Sequence, residues 1–526
     1  MKEKSIPLEM KQDNDSLMSS LTYGVQLELP LFAIAESAPQ NKKTTLNDKL
    51  NSCDNNSLMP KSSEISAAVS TSSVKVFSPY WNDLCKEISS RLLLPVGIDC
   101  VDSDLSYLST WSNETVEKSW FKTKLYTVRN RNSQRIFSPS FTSSLVECTD
   151  SEVTQNKSKK IRIYPNADQR RLLRHWFGVS RYVYNQTIAY LQQPETVANW
   201  FKIKKKILDS LPPWAKTVPF QIKSIAIKDA CLAVKAAKKN YFADGQIRQV
   251  RFRSRKDKKQ TIYIPKSAIK PQGIYPTKLG KITYGESLLA KFSDGRLTYY
   301  GGDYYLVISE KVKPIKTENQ GRVVALDPGV RKMFTFFSED SCGFLGQGAN
   351  LTIQKLCFKL DKLESRISKA KCKQKRRLRK ATERMRVKIK NLITELHHKI
   401  AGFLVTNFDV ILLPTFETSQ MVSKSRRKLR SKSVRQMLTL SHYQFKEFLR
   451  WKTWALGKKL IEVCEAYTSK TVSWTGEIVK IGSAEKIKSP STGIVLDRDL
   501  NGARGIFLRA VVDTPWLREH LNFSIC

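Results

Sequence analysis

From residue 323 onward, strand-length and helix-length runs alternate in one fixed succession, and this limits the chain to few topologies. Val323–Leu326 is an unbroken apolar run that ends at Asp327; Pro328-Gly329 turns the chain, and Met333–Phe337 returns as the second arm of a hairpin. No Pro or Gly interrupts the lysine- and arginine-laced stretch from Leu351 to Gly402, which predicts one or two long helices. A strand follows at 408–413 (FDVILL), then a helix over 434–456, a strand at 459–464, an irregular stretch, and a closing helix in DRDLNGARGIFLRAVV. Hairpin, helix, strand, helix, strand, helix predicts an α/β domain.

That order is the ribonuclease H pattern, in which acidic residues gather at the ends of the central strands. Asp327 fits the first such position. Charge then narrows the partners. Residues 1–150 hold 16 Lys and Arg against 18 Asp and Glu, so the other 376 residues carry +44 of a total of +42. A folded region with that excess is best relieved by a polyphosphate, and nucleic acid is the leading partner class. No run approaches the roughly 20 apolar residues of a membrane span, so no membrane partner is expected. The N-terminal MKEKSIPLEMKQDND has no apolar core of a secretion signal. Ten cysteines without a CxxC pair fit a reducing compartment and no disulfide framework.

Upstream, residues 1–156 are rich in Ser, Thr and Asn and are expected to be a largely disordered leader, with islands of order near Trp81 and Trp111. The strand-like KKIRIYP precedes a basic amphipathic helix capped by Asn166 or Asp168, and helical patterning continues through QIKSIAIKDACLAVKAAKKNYF. Trp176, Phe177, Tyr182 and Tyr184 lie among arginines, as core or as stacking platforms for bases. Residues 247–313 read as short β segments of an antiparallel barrel, with Arg251, Arg253, Arg255 and Lys256 on one ribbon as a backbone clamp. Two further basic runs, KQKRRLRK (with Arg376, Arg377 and Arg379) and SKSRRKLRSK, suit a nucleic-acid backbone or a nuclear import signal.

Five segments in order carry a resemblance: IRIYPNADQRRLLRHWFGVSRYVYN, LDPGVRKMFTF, PTFETSQMV with RRKLRSKSVRQMLTLSHYQFKEFL, EAYTSKT, and DRDLNGARGI. Together they resemble the OrfB-like, RNA-guided endonucleases of the TnpB and Fanzor families, relatives of the type V CRISPR effectors. The wording around 414–445 and 465–471 is closer to Fanzor. The resemblance implies an α/β multidomain protein: a helical recognition domain (167–245), an antiparallel β-barrel wedge (157–166 and 246–320), a RuvC, ribonuclease H-like nuclease domain (321–466 and 496–526), and a degenerate zinc-ribbon-like insertion (467–495). It implies a monomer that holds a guide RNA, with Arg181 among its contacts, and cuts target DNA beside a short adjacent motif. Residence in the nucleus is expected for a eukaryotic or viral chain, and in the cytoplasm otherwise.

The implied chemistry is hydrolysis with two Mg²⁺ ions, which clustered carboxylates must hold. Asp327 and Asp499 match the family's first and last acidic positions, with Asp497 as an N-cap or a group that supports the ligands from behind and Asn501 steadying the turn. Where TnpB proteins carry a glutamate directly after the DVILL strand, this chain has Pro414; Glu465, at the end of the next strand, or Glu417 takes its place, and Glu465 is the expected ligand. The ribbon's cysteines fall on Val472, Thr475, Ser489 and Thr492, none a thiolate, so zinc is not expected: either a metal-free hairpin replaces the ribbon between Val472 and Lys488, or the copy is decaying. The competing expectations are an active endonuclease, a cleavage-deficient RNA-guided DNA-binding protein that regulates transcription or transposition, and a strand-transferring transposase.

Overall fold

The computed structural model describes residues 77–96, 111–115, 122–128, 154–315, 321–416, 422–423, 430–482 and 484–521. Leaving aside a few one-turn helices and a two-residue strand pair, the elements in chain order are α1 (Asp83–Arg91), β1 (Trp111–Thr115), β2 (Lys122–Val128), β3 (Gln155–Tyr164), α2 (Ala167–Leu191), α3 (Trp200–Asp209), α4 (Phe220–Asp244), β4 (Lys259–Ile264), β5 (Thr283–Tyr284), β6 (Gly295–Tyr300) and β7 (Asp303–Val312). There follow β8 (Val323–Pro328), β9 (Phe334–Phe337), β10 (Ser341–Gln347), α5 (Ala349–Lys369), α6 (Cys372–Asn407), β11 (Val410–Pro414), α7 (Ser431–Leu440), α8 (His442–Ala455), β12 (Lys459–Val463), β13 (Lys486–Lys488), β14 (Val495–Asp497), α9 (Arg498–Asp513) and α10 (Pro515–His520). Two units form. The first takes in the described residues up to 315 from 154, with 356–392; the second takes in the others.

In the first unit five antiparallel strands run β4-β6-β7-β3-β5. Alternation drives the sheet: Ile161 and Ile163 on β3 and Tyr304, Leu306 and Ile308 on β7 are buried, while Lys160 and Arg162 between them face out. α2 starts at a reciprocal cap. Asn166 Oδ1 accepts from the Gln169 N–H at 2.9 Å and Gln169 Oε1 from the Asn166 N–H at 2.8 Å, an arrangement that stabilises a helix start by about 1 kcal/mol. Trp176, Phe177 and Tyr184 are buried with Leu173 and Val183 against the sheet, so these aromatics are core; only Tyr182 remains half-exposed, tilted on Trp214 at 5.1 Å.

Two expectations change here. The sheet has free edges at β4 and β5, and no closed barrel is found among the described residues. The ribbon expected at 247–255 is irregular chain, because its residues hydrogen-bond to side chains instead of a ladder: Arg253 exchanges both backbone bonds with the Asn185 side chain, at 2.8 and 3.0 Å.

In the second unit seven strands run β1-β2-β10-β9-β8-β11-β12, antiparallel from β1 to β8 and parallel across β8, β11 and β12. Val323, Ala325, Val410 and Leu412 share one face and pack against Leu500, Ala503 and Phe507 of α9. On the other face Phe336 meets Phe403 of α6 at 5.6 Å and Phe334 meets Phe445 of α8 at 4.7 Å. Each such buried ring contributes about 1.5–3 kcal/mol. The single helix expected at 434–456 is two, broken where Ser441 takes a left-handed conformation (φ 54°).

The segment read as a leader is partly built into this unit. Cys85 and Ile88 of α1, Leu92 just after it and Tyr126 of β2 lie in the core, and β2 pairs with β10. That pairing requires glycine at 343, where a Cβ would come within 2.0 Å of the Lys124 carbonyl oxygen.

Candidate active site

Strand period puts Asp327 on the face of Val323 and Ala325, beneath α9. The approach is close: a Cβ at Gly502 would stand 2.6 Å from Asp327 Oδ2, so glycine at 502 leaves the carboxylate its cradle. Ala325 pairs with Leu412, and two residues further on Asp327 comes level with Pro414, itself paired with Val463 of β12. The neighbouring strand therefore offers no carboxylate at this level. Glu465 follows Val463 by two residues, half-buried, its carbonyl accepting from the Thr468 hydroxyl at 2.8 Å. Burial first, then the charges of Asp499 and Glu465, push the Asp327 carboxyl up to about 8, against the pull of Arg498 and Lys332. Burial also raises Glu465.

Asp499 stands on the first turn of α9. Asp497 caps that helix, with Oδ1 accepting from the Asp499 and Leu500 N–H groups at 2.8 and 3.2 Å. Its other oxygen takes a 2.9 Å bond from Lys332 Nζ, which also lies 3.3 Å from Asp499 Oδ2 and 3.5 Å from the centre of the Phe344 ring. Asn501, fully buried, donates to the Thr471 carbonyl at 2.8 Å and accepts from the Ser473 N–H at 2.9 Å. The charges of Asp499 and Glu465 thus both act on Asp327. Among the described residues no group of three His, Cys, Asp or Glu side chains is gathered closely enough to hold a metal ion. Glu417 lies outside the described residues.

The donor chemistry nevertheless suits a hard divalent cation: three carboxylates, one of them raised by burial and then by the other two and seated in a glycine cradle.

In the insertion, the hairpin expected between Val472 and Lys488 is placed differently. A bridge from Thr471 to Ile478 closes a tight turn, and the regular hairpin joins β13 to β14. Buried Glu477 links the two turns that contain the four substituted positions. Its Oε2 accepts from the hydroxyls of Thr475, Ser489 and Ser491 at 3.0, 3.0 and 2.9 Å, while Trp474 Nε1 donates to Thr492 Oγ1 at 3.1 Å.

The basic residues divide into engaged and exposed. Arg253 stacks on Tyr184 at 3.8 Å and shares Asp229 with Arg296, which grips that carboxylate through two 2.9 Å bonds, so Arg253 is committed to the fold. Arg181 bonds Gln260 at 3.2 Å, and burial, then nearby Arg255, lowers its pKa. Arg251, Arg255 and Lys256 are exposed, as are Arg376, Arg377 and Arg379 along α6. Sequence reading missed three groups: Lys332, Glu477, and Arg504 of α9. Arg504 is fully buried without a carboxylate; it donates to the carbonyls of Ser89 and Leu92 at 2.8 and 3.1 Å and to that of Ser473. Lys332 and Arg504 each lie five residues after an acidic motif position, the one signal that marked them.

Residues 442–506 match the family described as Cas12f1-like, TNB domain, and residues 155–194 match a helix-turn-helix domain of the IS605 OrfB type. These matches make the chain similar to TnpB-like, IS605 OrfB proteins. It is 26% identical over 390 residues to a TnpB-like protein of Acanthamoeba polyphaga mimivirus, covering 69% of this chain and 74% of that one. It is also 26% identical over 386 residues to the Escherichia coli (strain K12) protein named "Putative RNA-guided DNA endonuclease InsQ", covering 66% and 90%. Among solved structures, the Cas12f1 chain of a complex with single guide RNA and target DNA aligns with a TM-score of 0.39 at 12% identity, over 67% of this chain and 98% of that one.

Proposed function

We propose that the chain is a Mg²⁺-dependent, RNA-guided DNA endonuclease of transposon origin, Fanzor-like in its relocated glutamate. The observation that carries this reading is the seat of Asp327 at the end of β8 beneath α9, in the Gly502 cradle, with Asp499 on the first turn of α9 and Glu465 just past β12, in a chain similar to TnpB-like proteins. Three antiparallel strands followed by two parallel ones, β10-β9-β8-β11-β12, support a RuvC, ribonuclease H-like domain. The strongly basic remainder supports a nucleic-acid partner on both counts, guide RNA and target DNA.

Asp327, Glu465 and Asp499 would hold the cations. When bound, the metal supplies an activated water and neutralises charge on the leaving oxygen of the cut phosphodiester. The protein's own part is to fix the carboxylates. Asp327 is set by β8 and the Gly502 cradle, and Asp499 by the Asp497 cap. Burial, and then the charges of Asp499 and Glu465, raise the Asp327 carboxyl, a shift that a bound cation would oppose.

One observation favours the second reading, a cleavage-deficient guide-directed DNA-binding protein: the absence, among the described residues, of a side-chain group gathered for a metal. Sequencing the RNA that co-purifies with the chain and then replacing its guide portion tests the first reading. Cleavage should move to the new target. Binding that moves without cleavage would favour the second, and absence of any defined RNA would contradict both.

A further inference from the structure

We propose that Lys160, Lys259 and Lys390 form a phosphate-binding site on the outer face of the five-stranded sheet, one that grips the backbone of a nucleic-acid strand. The inference rests on the nucleic-acid reading above and names where the first unit holds such a strand. Cross-strand register builds the site. Arg162 of β3 pairs with Tyr305 of β7, which pairs in turn with Thr298 of β6; two residues further along β6, Tyr300 pairs with both Asp303 and Lys259 of β4. Because the side-chain period is two, Lys160, Tyr305, Tyr300 and Lys259 stand on the outward face with Arg162. The part of α6 that belongs to this unit adds the third lysine. A Cβ at Gly301 would come within 2.6 Å of the Val387 side chain, and about one turn further Lys390 brings its ammonium to 5.3 Å from the centre of the Tyr300 ring.

The cations of β3 are not alike. Lys157 pairs with Glu310 at 3.6 Å, Lys159 with Glu286 at 3.2 Å and Arg162 with Asp303 at 2.6 Å. Lys160 makes no ion pair among the described residues; its ammonium lies 3.8 Å from the centre of the Tyr305 ring and 5.9 Å from that of Tyr300. Burial, then the charges of Lys390 and Lys259, lower its pKa, with Asp303 pulling the other way. Asp303, the carboxylate that opposes this repulsion, is itself engaged by Arg162. Three like charges from three elements thus meet over two tyrosine rings, and an anion relieves them. All three lysines are exposed on an open face. That suits the backbone of a polymer rather than a small anion, because small ligands are held in concave pockets that bury most of their surface.

The test uses the full chain, with fluorescent oligouridine as the probe and anisotropy read over a series of KCl concentrations. Lys160→Gln should make the plot of log K against log [KCl] shallower by about 1, the size of one lost phosphate contact, and Lys160→Gln combined with Lys390→Gln by about 2. Lys160→Arg, which keeps the charge, should restore the slope. Lys157→Gln removes a cation already paired with Glu310 and should leave the slope unchanged. Each of these side chains is exposed, so the variants should melt near the wild-type temperature. Parallel arms with oligothymidine and with duplex DNA identify the strand, since the site belongs to whichever probes lose slope. Displacement of oligouridine by inorganic phosphate at matched ionic strength would overturn the backbone assignment in favour of a small-anion site. An unchanged slope for folded Lys160→Gln in every arm would overturn the site while leaving nucleic-acid binding standing. A wild-type chain that binds none of the probes at low salt would instead overturn the nucleic-acid reading itself.

Discussion

A methyl group at position 502 would press within 2.6 Å of Asp327 Oδ2, so Gly502→Ala should displace that carboxylate while leaving most of α9 in place. We expect the variant to lose most of its Mn²⁺ affinity with a melting temperature close to wild type, measured side by side. Arg504 shows the opposite balance. Its guanidinium satisfies the carbonyls of Ser89, Leu92 and Ser473 deep in the core, and burial holds its pKa down to about 10. Arg504→Met would leave those carbonyls without their donor, at about 1–3 kcal/mol each. Urea unfolding should show a loss of about 3 kcal/mol or more, an effect on the fold rather than on metal affinity.

Elements were legible in proportion to how locally they are determined. The apolar runs at 323–326 and 408–413 and the uninterrupted stretch after Leu351 each became the expected strand or helix, because period and breakers decide such segments. The segment at 247–255 alternates like a strand, yet Asn185 and Asp229 capture its backbone and arginines, a choice made by residues far away in sequence. β1 and β2 were hidden for a similar reason. Their polar sequences carry little strand signal, and pairing of β2 with β10 and of β1 with β2 supplies what they lack. At the site, Asp327 was readable from its strand end, whereas Lys332 and Glu477 act through partners more than ten residues distant or across a turn.

Two predictions belong to elements. Because Glu477 joins the two turns of the insertion by hydrogen bonds, we expect elemental analysis to find less than one zinc per chain and chelation to leave the melting temperature unchanged. Tightly held, stoichiometric zinc would contradict this. The packing of α6 on α8 buries His397 and His442, and burial holds each imidazole down to about 4 from an ordinary 6.5. Between those values the unfolded chain binds protons that the folded chain excludes. Stability from this source is therefore full above about pH 6.5 and is lost as pH falls toward 4. His442→Phe should flatten that slope in urea unfolding repeated across the range.

At the scale of the whole molecule, charge and fold divide the labour. In the proposed reading the +44 carried beyond residue 150 serves a nucleic-acid partner, and the α/β unit built around β8 and α9 supplies the carboxylates. RNA binding should accordingly weaken steeply with salt and be nearly indifferent to single carboxylate changes. The most direct measurement of the central claim is cleavage of a plasmid bearing a matched target by the chain loaded with its own RNA and Mg²⁺, run for wild type, Asp327→Ala, Glu465→Ala, Asp499→Ala and Glu417→Ala. The account predicts cutting by wild type and Glu417→Ala, and at least a hundredfold loss, roughly, in each of the other three with RNA binding retained, as expected when one ligand of a shared metal site is removed. Cutting at the wild-type rate by Glu465→Ala beside a dead Glu417→Ala would contradict the glutamate assignment, and no cutting by the wild type with any guide would contradict the endonuclease itself.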